Sequence, residues 1–208
     1  SPLKRKAPLM QLAPGQTHPL EGVEGYQDLV DPEPIPPSLK SEAQELSDLF
    51  GEYVIKCFFS KTWQLREAAL KKICLEFPRI LNSTPQLDPL FASVTKMLQS
   101  CAGEKVANVF ARSLDFLNLV LTGVAPHIHR AEVVQGLERF TQALVEKLGN
   151  SNARVRKDAA AALQAMAATK TIGPAYIAIT MLRKPKKERT TAYRPILGRL
   201  EVLMSLIE

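Results

Sequence analysis

"LREAALKKI" (65–73) returns in register as "VRKDAAAAL" (155–163). Leu65 overlies Val155, Arg66 overlies Arg156, Ala69 overlies Ala159 and Ile73 overlies Leu163. A third segment, "VFARSLDFL" (109–117), keeps the register with Val109, the small residue Ser113 and Leu117. With a fourth anchor at Ile196, the starts lie 44, 46 and 41 residues apart. Self-similarity at this period, with two helix-length apolar patterns in each, predicts stacked helical hairpins. One hairpin cannot bury its apolar face alone, and stacking four makes one continuous core. The small residues at 69, 113 and 159 let paired helices approach closely.

The helices themselves are legible from apolar spacing. Leu46, Leu49, Phe50, Tyr53, Val54, Cys57 and Phe58 mark one helix, opened by a capping-box pattern at Ser41-Glu42-Ala43-Gln44. The next carries Leu65, Ala69, Ile73 and Phe77, and Pro78 is expected to end it. Asp88 followed by Pro89 reads as an N-cap and first helical residue for the third. Five more follow, carrying Val109 to Leu121, Val133 to Leu148, Val155 to Met166, Ile172 to Leu182, and Ile196, Leu200, Leu203 and Ile207. The expected fold class is all-α, a HEAT-repeat α-solenoid of about four hairpins, at 41–77, 88–122, 127–168 and 172–208. Two helices per period favour HEAT over the three-helix armadillo unit. Few aromatics and no alternating Val/Ile/Thr runs argue against a β-sandwich or barrel.

Residues 1–37 read differently. Eight of the fifteen prolines fall there, which predicts an extended linker, partly disordered or packed on the domain at 38–208. Charge is uneven as well. Residues 21–52 hold nine acids against Lys40, and residues 183–199 hold seven bases against Glu188. The basic end suits an acidic partner. Cys57, Cys74 and Cys101 are widely spaced in apolar-periodic segments, which fits reduced core thiols and gives no zinc motif. His127 and His129 lack a further ligand at metal spacing, so no metal and no cofactor are expected. No phosphate loop, nucleophile elbow or HExxH motif appears, so the chain is not expected to be an enzyme. No run approaches the ~18 apolar residues of a membrane span.

The turn inside each hairpin should emerge along one edge. These turns carry Ser60-Lys61-Thr62-Trp63, then Gly103 through Lys105 to Asn108, then Gly149 through Asn152 to Arg154, then the basic run at 184–191. A ridge of Lys and Arg around the chain's one Trp has the composition of a hot-spot interface for an acidic protein. A first turn of form S-x-x-W, a second of form G-x-x-x-x-N-V and a third of form G-x-x-x-A-x-V-R resemble the TOG domains of microtubule regulators, over residues 41–207.

That resemblance implies binding to the curved αβ-tubulin heterodimer along the turn edge, by a monomer of the cytoplasmic cytoskeleton at the centrosome, centriole or ciliary tip, with other centrosomal or ciliary proteins as further partners. It implies Trp63 as the apolar anchor flanked by Lys61 and Thr62, with Lys105 and Asn108 in the second turn. Asn152, Arg154 and Arg156 serve the third turn, and Lys186, Lys187 and Arg189 the fourth. TOG domains have six repeats where this chain shows four, and the last two usually reach α-tubulin. The alternative reading is a HEAT adaptor that uses its concave face. Nucleic acid is a poor fit despite the pI of 9.3, because the basic turns are interleaved only with Trp63 and Tyr193.

Overall fold

Every regular element in the described residues is helical. The computed structural model describes residues 15–183 and 193–207, and the chain divides into two units, Ser1–Ser83 and Thr84–Glu208. Helices α1 (Lys40–Phe50), α2 (Glu52–Phe58) and α3 (Trp63–Ser83) belong to the first unit. Helices α4 (Leu87–Cys101), α5 (Ala107–Gly123), α6 (Arg130–Lys147), α7 (Ala153–Ala168), α8 (Pro174–Leu182) and α9 (Tyr193–Ser205) belong to the second.

The second unit is a stack of hairpins. Helix α4 packs on α6, while α5 packs on α7 and α7 on α9, with α6 lying against α7. The repeat register places its small residues where two helices meet: Ser113 and Ala159 are fully buried. Phe110, Phe116, Leu117, Leu137, Phe140, Leu144, Leu163 and Met166 fill the core. The segment Ala107–His127 is long and apolar enough by composition to pass for a membrane span, contrary to the sequence expectation. Here Val109, Phe110, Phe116, Leu117, Val120 and Leu121 are spent on the core. His129 caps α6, its Nδ1 accepting the Ala131 N–H at 3.3 Å. Cys57 and Cys101 are buried thiols and Cys74 is half-buried.

Several boundaries differ from the sequence reading. The expected single helix over 46–58 is two, because Gly51 takes φ 86° and ψ 142° between α1 and α2. The capping box does not form: α1 opens at Lys40 out of a short 3-10 turn at Pro37–Leu39, with no side-chain cap. Pro78 lies inside α3 rather than ending it. Its ring faces solvent, and the following turn keeps Ile80 buried, which offsets the missing N–H. Helix α4 begins at Leu87, so Asp88 is a first-turn residue and not the N-cap. Helix α9 is also rotated. Ile196, Leu200 and Ile207 are exposed, and Gly198 and Val202 are buried instead. A Cβ at Gly198 would stand 2.9 Å from Leu148 Cβ and 3.0 Å from the Leu148 carbonyl oxygen, so the helix docks through its glycine.

The described part of the Pro-rich segment, residues 15–37, is a strap across the first unit. Leu20 and Val23 are buried, and Lys72 of α3 donates to the Glu21 carbonyl at 2.8 Å. His18 stacks on Tyr26 (4.8 Å) and meets Tyr53 of α2 edge-on at 5.2 Å. Its Nδ1 accepts the Leu20 N–H at 3.1 Å, so the neutral ring carries its proton on the buried Nε2. Tyr53 in turn donates to Asp31 at 2.9 Å. The strap is therefore tied to α2 and α3 by both apolar and polar contacts.

Two consequences are measurable. Gly51→Ala meets no atom within 4 Å yet must hold a left-handed φ. It should cost about 1–3 kcal/mol in chemical denaturation, while Gly103→Ala, equally unobstructed and not left-handed, stays within about 0.5 kcal/mol. Burial lowers the pKa of His18, against the pull of Asp31. The unfolded chain then binds the extra proton first, so stability should be complete above the ordinary histidine range and lost as pH falls through it. The acid slope of the unfolding midpoint should flatten in His18→Phe.

Candidate functional site

A helix ends with carbonyls that have no partner inside it. The turn that follows the first helix of a hairpin adds further carbonyls, and a cation from a later helix reaches back to them. At the first turn, Arg66 Nη1 donates to the carbonyls of Ser60 and Lys61, both at 3.0 Å. At the third turn, Arg156 Nη1 donates to those of Asn150 (2.8 Å) and Ser151 (3.0 Å). Arg66 and Arg156 are the residues that the sequence register superimposes, and they make the same pair of bonds. The second turn has Phe110 at that register position, and Lys147 of α6 substitutes. Its ammonium donates to the Glu104 carbonyl and stands 5.2 Å over the Phe110 ring. Burial draws the Lys147 pKa below the ordinary lysine value, against the Glu104 carboxylate. At the end of α8, Arg199 donates to the carbonyls of Met181 (2.9 Å) and Arg183 (2.7 Å).

The turn N–H groups are met by acceptors. Glu104 Oε1 accepts from Lys105 and Val106, each at 2.8 Å. Asn150 Oδ1 accepts from Asn152, and Asn152 Oδ1 accepts from Arg154, each at 2.9 Å. The first turn has a shorter acceptor of its own, Ser60 Oγ, which takes the Thr62 N–H at 3.0 Å. The Lys61 N–H goes instead to Glu33 Oε1 of the strap at 2.5 Å, and Ser60 Oγ donates to Glu33 Oε2 at 2.8 Å.

These bonds sort the residues expected at the site. Trp63 opens α3 and keeps 36% of its surface exposed, so it is not hairpin core. Lys61 is exposed and Thr62 half-buried, its carbonyl accepting the Leu65 and Arg66 N–H groups. Lys105 is exposed in the second turn, whereas Asn108 already belongs to α5. Asn152 caps α7, and Arg154 on its first turn lies 3.7 Å from Asp158. Arg156 is committed to the turn carbonyls and is a brace rather than a free cation. The Lys147 bond, reaching from beside the third turn into the second, brings those two turns together. Lys186, Lys187 and Arg189 lie outside the described residues. Of the other bases at that end, Arg183 pairs with Glu138 at 3.1 Å and Arg199 braces α8, so the local charge available to a partner is smaller than the sequence count. Sequence reasoning missed Glu33, Lys147 and Arg199 as parts of the turns. Only Arg66 had a signal, its register with Arg156.

The family model described as "Centrosomal protein CEP104, TOG domain" matches residues 40–208. The human centrosomal protein of 104 kDa is 29% identical over 170 residues, which are 79% of this chain and 18% of that protein. The mouse protein of the same name is 28% identical over 168 residues, 78% of this chain and 18% of its own length. The chain thus spans under a fifth of the length of these curated relatives. The solved structure of the TOG domain of human Cep104 superimposes with a TM-score of 0.71 at 24% identity, covering 86% of this chain and 70% of that one. A second CEP104 TOG domain structure gives 0.72 at 24% identity, covering 85% and 70%. The fold is that of an all-α, HEAT-repeat TOG domain. The chain belongs to the family of the TOG domain of centrosomal protein CEP104.

Proposed function

We propose that this chain is a non-enzymatic module that binds the curved αβ-tubulin heterodimer through its intra-repeat turns. The observation that carries this reading is the exposed Trp63 at the head of α3, on a turn fixed from both its carbonyl and its N–H side. A large apolar side chain on a rigid, polar rim is the composition of an interface anchor. Lys61 and Lys105 add exposed positive charge beside their turns, and Lys186, Lys187 and Arg189 belong to the same proposal. Asn108, Asn152 and Arg154 would contribute polar contacts from the N-terminal ends of α5 and α7. The protein acts as a monomer without a cofactor, and regulation of microtubule dynamics at the centrosome or cilium is supported by the names of its relatives.

The adaptor alternative has less to work with in the second unit. The groove between α5 and α7 is floored by Ala111, Ala161, Ala162 and Ala165, and its charges answer one another. Arg112 pairs with Asp115 at 2.6 Å, and Arg154 lies near Asp158. Little charge is left there to specify a partner.

Size-exclusion chromatography with soluble αβ-tubulin tests the proposal. Co-elution is expected, and Trp63→Ala should weaken binding by roughly 30-fold, the loss typical of an interface anchor. A Lys186/Lys187→Glu double change should weaken it too, and rising salt should remove that contribution before the Trp63 one, because exposed charges are screened over ~10 Å at 0.1 M. Unchanged co-elution of both variants, with helicity intact, would sink the turn-edge reading.

A further inference from the structure

We propose that Glu33 of the Pro-rich strap is a positioning residue of the tubulin-binding site: it holds the Ser60–Lys61 turn in the conformation that presents Trp63. The inference rests on the tubulin reading above. It adds a residue that lies outside the region matched by the TOG family, which begins at residue 40.

The argument starts from what the turn lacks. The second turn satisfies its own N–H groups with Glu104, and the third does so with Asn150 and Asn152. The first turn, Ser60-Lys61-Thr62, has no acceptor side chain long enough for this, because Ser60 Oγ reaches only Thr62 and the Lys61 ammonium can only donate. Glu33 supplies the missing acceptor from 28 residues away, taking the Lys61 N–H on one oxygen and the Ser60 hydroxyl on the other. That second bond also orients Ser60 Oγ, leaving its lone pairs to the Thr62 N–H. Ser60 is buried, so its hydroxyl has little access to water as a substitute partner.

Two of these residues are also held from their carbonyl side by Arg66, whose guanidinium donates to the Ser60 and Lys61 carbonyls. The turn is clamped between an anion on its N–H side and a cation on its carbonyl side, and Trp63 is the next residue. The strap delivers Glu33 at low entropic cost. Pro32, Pro34, Pro36 and Pro37 restrict the backbone around it, and the Tyr53–Asp31 bond anchors it two residues earlier. Desolvation works against the charge on Glu33. The bonds from the Lys61 N–H and Ser60, with the Lys61 ammonium, more than offset that, so its carboxyl titrates below the usual glutamate range.

A double-mutant cycle on the full chain with soluble αβ-tubulin tests this. Glu33→Ala should raise Kd roughly tenfold, the scale of losing hydrogen bonds to a charged acceptor. In a Trp63→Ala background the same change should cost less than about twofold, because there is no anchor left to position. Glu33→Gln, which keeps one acceptor oxygen, should fall between. In parallel, the Lys61 amide resonance should shift with pH, with a midpoint below the ordinary glutamate range, and the shift should vanish in Glu33→Gln. An unchanged Kd in Glu33→Ala beside a weakened Trp63→Ala overturns this proposal alone. Equal losses in both backgrounds also overturn it, because they indicate general damage to the fold. An unchanged Kd in Trp63→Ala removes the tubulin reading first, and this inference with it.

Discussion

Main-chain carbonyls of the turn residues, just past the first helices of the hairpins, are the constraint around which the turns are built. Stacked hairpins multiply helix ends, and each end brings polar groups to the margin of an apolar core. The donors are Arg66, Lys147, Arg156 and Arg199, each on a later helix than the one its acceptor carbonyls belong to or follow. A guanidinium can serve two carbonyls at once, and three of the four do. Lys147, with a single ammonium, serves one and gains the Phe110 ring beneath it. Bases that look from the sequence like a uniform positive edge are thus divided between bracing the turns and facing solvent.

The acidic segment has a comparable division of labour. Glu33 and Asp31 are taken up by the Lys61 N–H, Ser60 and Tyr53. Glu52 pairs with Lys56 along α2. The strap, proline-rich and short of apolar residues, stays on the first unit because Leu20, Val23 and His18 give it a small core of its own. A segment that composition assigns to a linker is in this way part of the packing of α2 and α3.

Much of the fold was legible because two physical patterns agreed. Apolar spacing placed the helices, and recurrence of an apolar anchor with a small residue four positions on placed the hairpins. The failures share a cause: they sit at residues whose effect is carried by backbone rather than hydropathy. Gly51 splits an unbroken apolar stripe because only its φ marks the break. Pro78 looked like a terminator, but burial of Ile80 in the next turn outweighs one missing bond. Helix α9 docks through Gly198, which has no side chain to register in any apolar pattern, so the stripe of Ile196, Leu200 and Ile207 pointed to the wrong face. At the site, Trp63 was legible because a Trp beside a polar turn is unusual. Glu33 and Lys147 were not, since their partners lie 27 and 43 residues away in sequence.

The braces have an evolutionary corollary. Arg66 and Arg156 bond to carbonyl oxygens, and every amino acid carries one. The support is therefore indifferent to which side chains occupy the turn. Residues such as Lys61, Lys105 or Ser151 can be exchanged without loosening the turn backbone that carries them. A repeat built this way can drift in what its turns recognise while its scaffold stays under separate selection, so relatives with the same fold are free to differ in grip.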